Sequence, residues 1–373
     1  MTPDAAALRA IGWPHAGAVP AGDWASAMAA HPQAHVARVV EQHRSGYIVA
    51  TGPGPDTGVA VESPQEWQRP SGYRRGTAQA VDRAAVGDWV LVEDGLIVSL
   101  LPRRTTIKRA AAGEHYQQQL IAANVDTVLV VCGLDGDFNP RRIERYLLLV
   151  HDGGTQAVVV LTKADRDGTD IDAALAALTE VAGQGIPALA VDARDPASVA
   201  ALLPWLQAGM TAVLVGSSGA GKSTLTNTLL GHQRMKTSAV RETDDRGRHT
   251  TTHRALIPLP SGACLIDTPG MRELKPTGEE DLADGGFADI AALAESCRFR
   301  DCVHDNEPGC AVRAALADGR LESRRFANYL KLRDEVAGAA ERLAARMAQL
   351  QGQKPGRPSP KAPGRRPGRP GAR

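Results

Sequence analysis

The sequence predicts a multidomain protein with three folded parts in series: an N-terminal β-barrel, a central α/β domain on a parallel sheet, and a mainly α-helical C-terminal domain. Three observations predict it. Short runs of β type, separated by Gly, Pro and Asp turns, fill residues 34–108. From Asn124 onward, apolar strands alternate with helical patterns, as βαβ units do. Beyond Pro276 the strands stop, and a cluster of cysteines with one histidine precedes a long helical run.

Composition sets the outer bounds. A chain of 373 residues with 43% hydrophobic content can bury more than one core. No apolar run approaches the roughly 20 residues that span a bilayer, and Asp4 and Arg9 stand where a secretion signal would be basic and then leucine-rich, so a cytoplasmic protein without a membrane partner is expected. Of 5 cysteines, three crowd between Cys297 and Cys310, which favours a metal site over disulfides. Cys132 and Cys264 lie in apolar runs and are expected in the core. The net charge of +1 conceals a tail, residues 351–373, that is rich in Lys and Arg and holds no acid. It is expected to be disordered, either solubilising the chain or seeking RNA.

Residues 1–33 mix Ala, Gly and Pro with Trp13 and Trp24 and read as an extension of uncertain order. In 34–108 the runs "HVARVV", "GYIVAT", "GVAVE", "DWVLVED" and "LIVSLL" fit a five-stranded oligonucleotide-binding (OB-like) barrel or another small β domain. Arg38, Arg44, Arg69, Arg74 and Arg75, with Tyr47, Trp67 and Tyr73, supply the basic and aromatic chemistry of single-stranded RNA binding. Residues 109–276 hold the strands "VDTVLVVCGL", "QAVVVLTKAD", "PALAVDA" and "TAVLVG", with helices between them and two further strands ending at "CLIDTPG".

The motifs of this domain concern phosphate and guanine. Gly216, Ser217, Ser218, Gly219, Ala220, Gly221, Lys222, Ser223 and Thr224 form the G-x-x-x-x-G-K-[ST] loop after a strand and before a helix. Its glycines let backbone N–H groups converge on phosphate, Lys222 brings a cation to the β and γ oxygens, and Ser223 offers its hydroxyl to Mg²⁺. "DTPG" places Asp267 to reach Mg²⁺ through water and Gly270 to meet the γ-phosphate. The polar loop "RGRHTTTHR" supplies Thr251 as the Mg²⁺ ligand of a first switch, with Thr250 beside it. In "TKAD", the Asp165 carboxylate can accept from both N1–H and the exocyclic amine of guanine. The Lys163 stem would line the purine, and Ala164 completes the loop. N–H groups around Asp192 and Ala193 can meet the guanine carbonyl. Thr162 stands where Asn is usual, so the side-chain amide that braces this loop is absent. "TKAD" taken alone reads equally as a polar loop. Where many GTPases orient water with Gln, this chain has Met271; His249 is the nearest polar candidate for catalysis, and a loop residue touching RNA is its alternative reading.

The order of these motifs is inverted, since "TKAD" precedes the phosphate loop. Moving the first two motifs to the end restores the ordinary GTPase series, so the domain is expected to be circularly permuted, with termini rejoined through the segment near Pro196. The second switch then leads directly into 277–350. There Cys297, Cys302, His304 and Cys310 form C-x4-C-x-H-x5-C, which suits one structural, tetrahedral Zn²⁺; an iron–sulfur cluster or incidental cysteines are the alternatives. "SRRFANYLKLRDEVAGAAERLAARMAQL" reads as a long docking helix.

With "ANVDTV", "RRIERYL", "TKAD", "GSSGAGKST", "GRHTTTH", "DTPGMREL" and the Cys/His spacing in place, residues 35–335 resemble the ribosome small subunit-dependent GTPases of the RsgA family. The resemblance implies an oligonucleotide-binding barrel, a permuted GTPase domain and a zinc domain, acting with GTP and GDP on the small ribosomal subunit and its rRNA late in its maturation. A monomer is expected. Subunit-stimulated hydrolysis coupled to release is the leading expectation, and an RNA-bound scaffold with incidental turnover is the alternative.

Overall fold

The structure is a computed structural model and describes residues 4–15, 22–43, 46–67, 82–110, 118–151, 153–182, 185–233, 254–267 and 275–350. Two short helices, α1 (Ala5–Ala10) and α2 (Asp23–Ala30), open the chain. Five strands follow: β1 (His35–Gln42), β2 (Tyr47–Ala50), β3 (Gly58–Val61), β4 (Trp89–Glu93) and β5 (Leu96–Leu100). Strand β1 pairs with β2 and β4, β2 with β3, and β4 with β5, all antiparallel, and a parallel bridge joins Glu62 to Leu96. The strands enclose Ala37, Val39, Tyr47, Val49, Trp67, Val90 and Ile97. A ribbon of β6 (Thr106–Ala110) and β7 (Gln118–Ala123) leads on from them.

The α/β part runs β8 (Thr127–Gly133), α3 (Pro140–His151), β9 (Gln156–Thr162), α4 (Ile171–Ala182), β10 (Ala188–Val191), α5 (Pro196–Val199) with a 3₁₀ turn to Trp205, β11 (Thr211–Val215), α6 (Lys222–Leu230), β12 (Ala255–Pro258) and β13 (Cys264–Asp267). Its strand order is β10-β9-β8-β11-β13-β12, parallel except for β12. Crossover helices cover both faces of a parallel sheet, so its strands are apolar throughout. Accordingly Val128, Val130 and Cys132 pack into one core, while Leu129 and Val131 pack into the other.

Strand β12 also pairs with β1 at Glu41↔Ala255, so the first β unit and the α/β domain share one hydrogen-bonded sheet. Arg38 reinforces this joint. It is fully buried and donates to the carbonyl oxygens of Ile11, Gly87 (3.2 Å) and Asn124 (3.2 Å) and to Thr211 Oγ1 (2.9 Å), with its guanidinium over Trp89. A Cβ at Gly12 would lie 2.2 Å from its Nη1, so only glycine fits there.

Two expectations change here. Arg38, Tyr47 and Trp67 are buried and present no RNA-binding surface, whereas Arg44, Arg69, Tyr73, Arg74 and Arg75 lie outside the described residues. The N-terminal segment is built into the fold: Leu8, Ile11 and Trp24 are buried, and Trp13 packs edge-on to both Trp24 and Trp89.

The C-terminal part contains α7 (Ala288–Glu295), α8 (Ala311–Ala317) and α9 (Ser323–Leu350). It closes over Phe287, Ile290, Val312, Phe326 and Val336, with Leu148 of α3 contributed by the α/β domain. Polar contacts complete the docking: Arg325 donates to Glu144 (2.6 Å) and Asp289 (2.6 Å), Asn328 donates to Glu144, and Arg145 pairs with Glu335. No helix among the described residues is long and apolar enough to cross a membrane. The tail, 351–373, lies outside the described residues.

Candidate functional site

Five strand ends meet at one edge of the parallel sheet. The registers Gly133↔Thr162 and Thr162↔Val191 align the ends of β8, β9 and β10, and Val130↔Val215 and Val213↔Ile266 bring β11 and β13 beside them. Successive strands run outward from β8 on one side, and the chain then returns to place β11 on the other. A crevice opens where strand order reverses, and ligands of open α/β sheets bind in such crevices.

The phosphate-type loop lies at that reversal. Gly216 has φ 145°, and a Cβ on it would come within 2.1 Å of the Val131 carbonyl oxygen, so the loop can turn tightly against β8 only with glycine there. Ala220 is buried, Ser218, Gly219 and Ser223 are exposed, and Thr224 is half-buried at the first turn of α6. The first backbone N–H groups of a helix lack intrahelical acceptors, which makes this end receptive to an anion. Lys222 Nζ donates to the carbonyl oxygens of Gly216 (2.7 Å) and Ser217, which fixes the ammonium over the loop.

The base side is joined directly to this loop. Thr162 is fully buried, and its hydroxyl donates to the Ala220 carbonyl at 2.6 Å. The expected lack of a brace is therefore corrected: a hydroxyl does the work of the missing amide. It can do so because Gly221, at φ 90°, keeps the loop close; a Cβ there would sit 3.0 Å from Thr162 Oγ1. Ala164 N–H donates to the Val191 carbonyl at 3.3 Å. Asp165 accepts from Arg194, which also reaches Asp192 at 3.5 Å. The Asp192 N–H is engaged by Ser198 Oγ at 3.0 Å, and the Ala193 carbonyl accepts from Thr228 Oγ1 of α6 at 2.6 Å. Asp267 ends β13, opposite Ala255. His249, Thr250, Thr251, Gly270 and Met271 lie outside the described residues.

Two acids on the loop after β8 belong to this site and were not singled out from the sequence. Asp135 accepts from Lys163 Nζ at 2.5 Å and Arg166 at 3.2 Å, and Asp137 accepts from Ser217 of the phosphate-type loop and from Arg142. Burial works against charge on Asp135, but the Lys163 ammonium and the Asp137 N–H hold its carboxyl below the ordinary aspartate range. Their only signal in "GLDGDFNP" is an acid-rich turn between a strand and a helix.

A second centre lies in the C-terminal part. The ligand atoms of Cys297, Cys302, His304 and Cys310 lie within 4.8 Å of one another, and His304 and Cys310 are buried. His304 Nδ1 is 3.7 Å from Cys297 Sγ and 3.5 Å from Cys310 Sγ, while those sulfurs are 3.9 Å apart. A tetrahedron around one Zn²⁺ has edges of about 3.8 Å between sulfurs and about 3.6 Å from sulfur to imidazole nitrogen. The donor set thus fits a single ion, since an iron–sulfur cluster would spread the sulfurs over several irons. Cys310 caps α8, and Glu307 accepts from the Val303 and Asp305 N–H groups, bending the chain so that His304 turns inward at φ 64°.

Comparison with known proteins agrees with this geometry. The family model described as RsgA GTPase matches residues 100–277. A protein of Xanthomonas axonopodis pv. citri (strain 306), named Small ribosomal subunit biogenesis GTPase RsgA, is 68% identical over 348 residues, 93% of each chain. Its namesake from Xanthomonas euvesicatoria pv. vesicatoria (strain 85-10) is 67% identical over 347 residues, again 93% of each. Among solved structures, YjeQ from Thermotoga maritima superposes with a TM-score of 0.55 at 24% identity, over 81% of this chain and 98% of its own. A structure described as YloQ, a circularly permuted GTPase, gives 0.54 at 23% identity, over 84% and 97%. These two likenesses show the permuted fold.

Proposed function

The chain belongs to the RsgA GTPase family and is a GTPase of small ribosomal subunit biogenesis, and we propose that it hydrolyses GTP to GDP and phosphate on the small subunit late in maturation, with the subunit stimulating hydrolysis and hydrolysis releasing the protein. The bond from Thr162 to Ala220 carries the reading of the site, because it fastens the guanine-type loop to the phosphate-type loop although the two are inverted in sequence.

In this reading the N–H groups of Gly216–Thr224 and the Lys222 ammonium surround the phosphates, Lys222 exchanging its carbonyl partners for β and γ oxygens. Asp165 exchanges Arg194 for the N1–H and amine of guanine, Lys163 and Ala164 line the base, and Asp192 and Ala193 support the guanine carbonyl. Ser223 and Asp267 present hard oxygen donors on adjacent elements, and with Thr251 they would hold Mg²⁺. Mg²⁺, when bound, neutralises charge developing on the phosphate oxygens. Gly270 would meet the γ-phosphate, and His249 would orient the attacking water.

The four Cys/His side chains would hold one structural Zn²⁺ and, as four protein ligands, would leave it no catalytic role. Strands β1–β5, closed by the Glu62–Leu96 bridge, form an OB-like barrel over residues 34–108 that meets rRNA. Residues 109–276 form the GTPase domain, 277–350 the zinc-binding and helical domain, and 351–373 a basic tail, in a cytoplasmic monomer. Single-turnover GTP hydrolysis with and without mature small subunits tests the function. Strong stimulation that His249→Ala abolishes while binding persists is expected. A rate unchanged by subunits overturns the coupling, and a stimulated variant equal to wild type removes His249 from catalysis.

A further inference from the structure

A lysine has a long, rotatable stem, yet Lys163 is held in one place beside the crevice. Lys163 follows Thr162 at the end of β9 and has φ 64°, a left-handed conformation unusual for a residue with a side chain. Such conformations persist where the surroundings over-determine them, and they cluster at ligand clamps. Here the turn sends the lysine stem across to the end of β8. Its Nζ meets Asp135 Oδ2 at 2.5 Å, and both side chains are largely shielded from solvent.

The crossing is closely fitted. A Cβ added to Gly133, the last residue of β8, would lie 3.0 Å from Lys163 Nζ, 3.2 Å from its Cε and 2.9 Å from Asp135 Oδ1. Strand β8 therefore ends in a residue with no side chain where the pair passes over it. Asp135 is itself held, because its Oδ1 accepts the Asp137 N–H at 3.1 Å. Asp137 is tied in turn to Ser217 of the phosphate loop and to Arg142 of α3. The segment 133–139 thus grips the base side of the crevice through Asp135 and the phosphate side through Asp137.

We propose that Asp135 is a positioning residue for nucleotide binding, its carboxylate anchoring the Lys163 ammonium so that the lysine stem stands ready as one face of the guanine pocket. This rests on the guanine reading of Lys163 and Asp165 given above. An unanchored lysine is rich in rotamer entropy, part of which binding would otherwise have to remove. Anchoring through the stem acts on base contact and leaves the γ-phosphate chemistry alone, so its loss should appear in ground-state binding and transition state equally.

The test uses the full-length protein, fluorescent GDP and GTP titrations, their xanthine counterparts, and steady-state hydrolysis. Asp135→Asn keeps the shape and removes the charge. It should weaken GDP and GTP alike by about tenfold, the scale of one charge-assisted contact, and raise KM with kcat changed less than twofold. Guanine should remain preferred over xanthine, and Asp135→Glu should restore most of the affinity. Asp165→Asn in the same titrations reports the underlying reading, because its amide should turn preference toward xanthine. A xanthine switch with Asp135→Asn still within twofold of wild type overturns the positioning role alone. No xanthine switch overturns the guanine reading and the proposal with it. A loss that Asp135→Glu does not restore, or that parallels a fall in the melting temperature of the nucleotide-free protein, assigns Asp135 to folding and likewise overturns the proposal.

Discussion

Replacing Thr162 with Val tests whether one hydroxyl couples base recognition to phosphate recognition. Valine keeps the branched shape, which matters because Thr162 is fully buried and its Cγ2 would be 3.4 Å from a Cβ on Gly221. The substitution removes the 2.6 Å bond to the Ala220 carbonyl and turns a methyl toward that oxygen. A buried acceptor left without a donor costs about 1–3 kcal/mol. Burying a methyl in place of a hydroxyl returns up to about 0.8 kcal/mol. From the middle of the first range, the net cost of about 1–2 kcal/mol falls on the arrangement in which the two loops are docked, which is the arrangement that binds nucleotide. Affinity for GDP and GTP should therefore drop by a common factor of about 5–30, while preference for guanine over xanthine persists because Asp165 is untouched. Titration with fluorescent GDP and GTP, alongside thermal melting of the free protein, measures both parts. Affinity within twofold of wild type with an unchanged melting temperature would refute the coupling.

Other consequences are open to measurement. Cys302→Ser should release the metal and expose α7 and α8 to proteolysis while GDP binding is retained, since metal binding and local folding are linked; stoichiometric iron in fresh protein would count against zinc. Arg38→Met should destabilise the protein by about 3 kcal/mol, the cost of orphaned carbonyls less the relief of an unburied cation, yet leave the salt dependence of RNA binding unaltered, and a changed slope would return Arg38 to the RNA surface. Burial pushes the Glu144 carboxyl up to about 7 against the pull of Arg325 and Asn328. A carboxyl raised in the folded state contributes stability that is complete below its unfolded value and lost as pH rises through 7. Docking of α9 on α3 should therefore resist proteolysis better at pH 6 than at pH 8, and Glu144→Gln should remove the difference; equal digestion of the wild type at both values would refute it.

Much of this architecture was legible because its signals are local. The run from Val128 to Cys132 is short, apolar at every position and rich in Val, as a strand covered on both faces asks. The phosphate loop is likewise contiguous, with its glycines specified by conformation. Contacts made across the fold were not legible. The partnership of Lys163 with Asp135 depends on strands β8 and β9 ending level, which no spacing in the chain records. Arg38 misled for a related reason: a basic residue in a β run looks the same whether it faces RNA or a buried ring of carbonyls. The N-terminal helices are short and carry few large apolar residues, so their order comes from packing Trp13 against both Trp24 and Trp89 rather than from their own periodicity.

The pairing of β1 with β12, with Arg38 fastened across it, makes the first β unit and the nucleotide-binding sheet one solid piece. A molecule built this way behaves like a gauge with two fixed jaws: whatever the first β unit touches and whatever the strand ends of the parallel sheet face must stand at a set separation for both to engage. An immature subunit whose surfaces are out of place could meet one jaw and miss the other. A pair of probes, one on the exposed Val59 of β3 and one on α4, should accordingly report the same distance with GTP, with GDP and on the subunit.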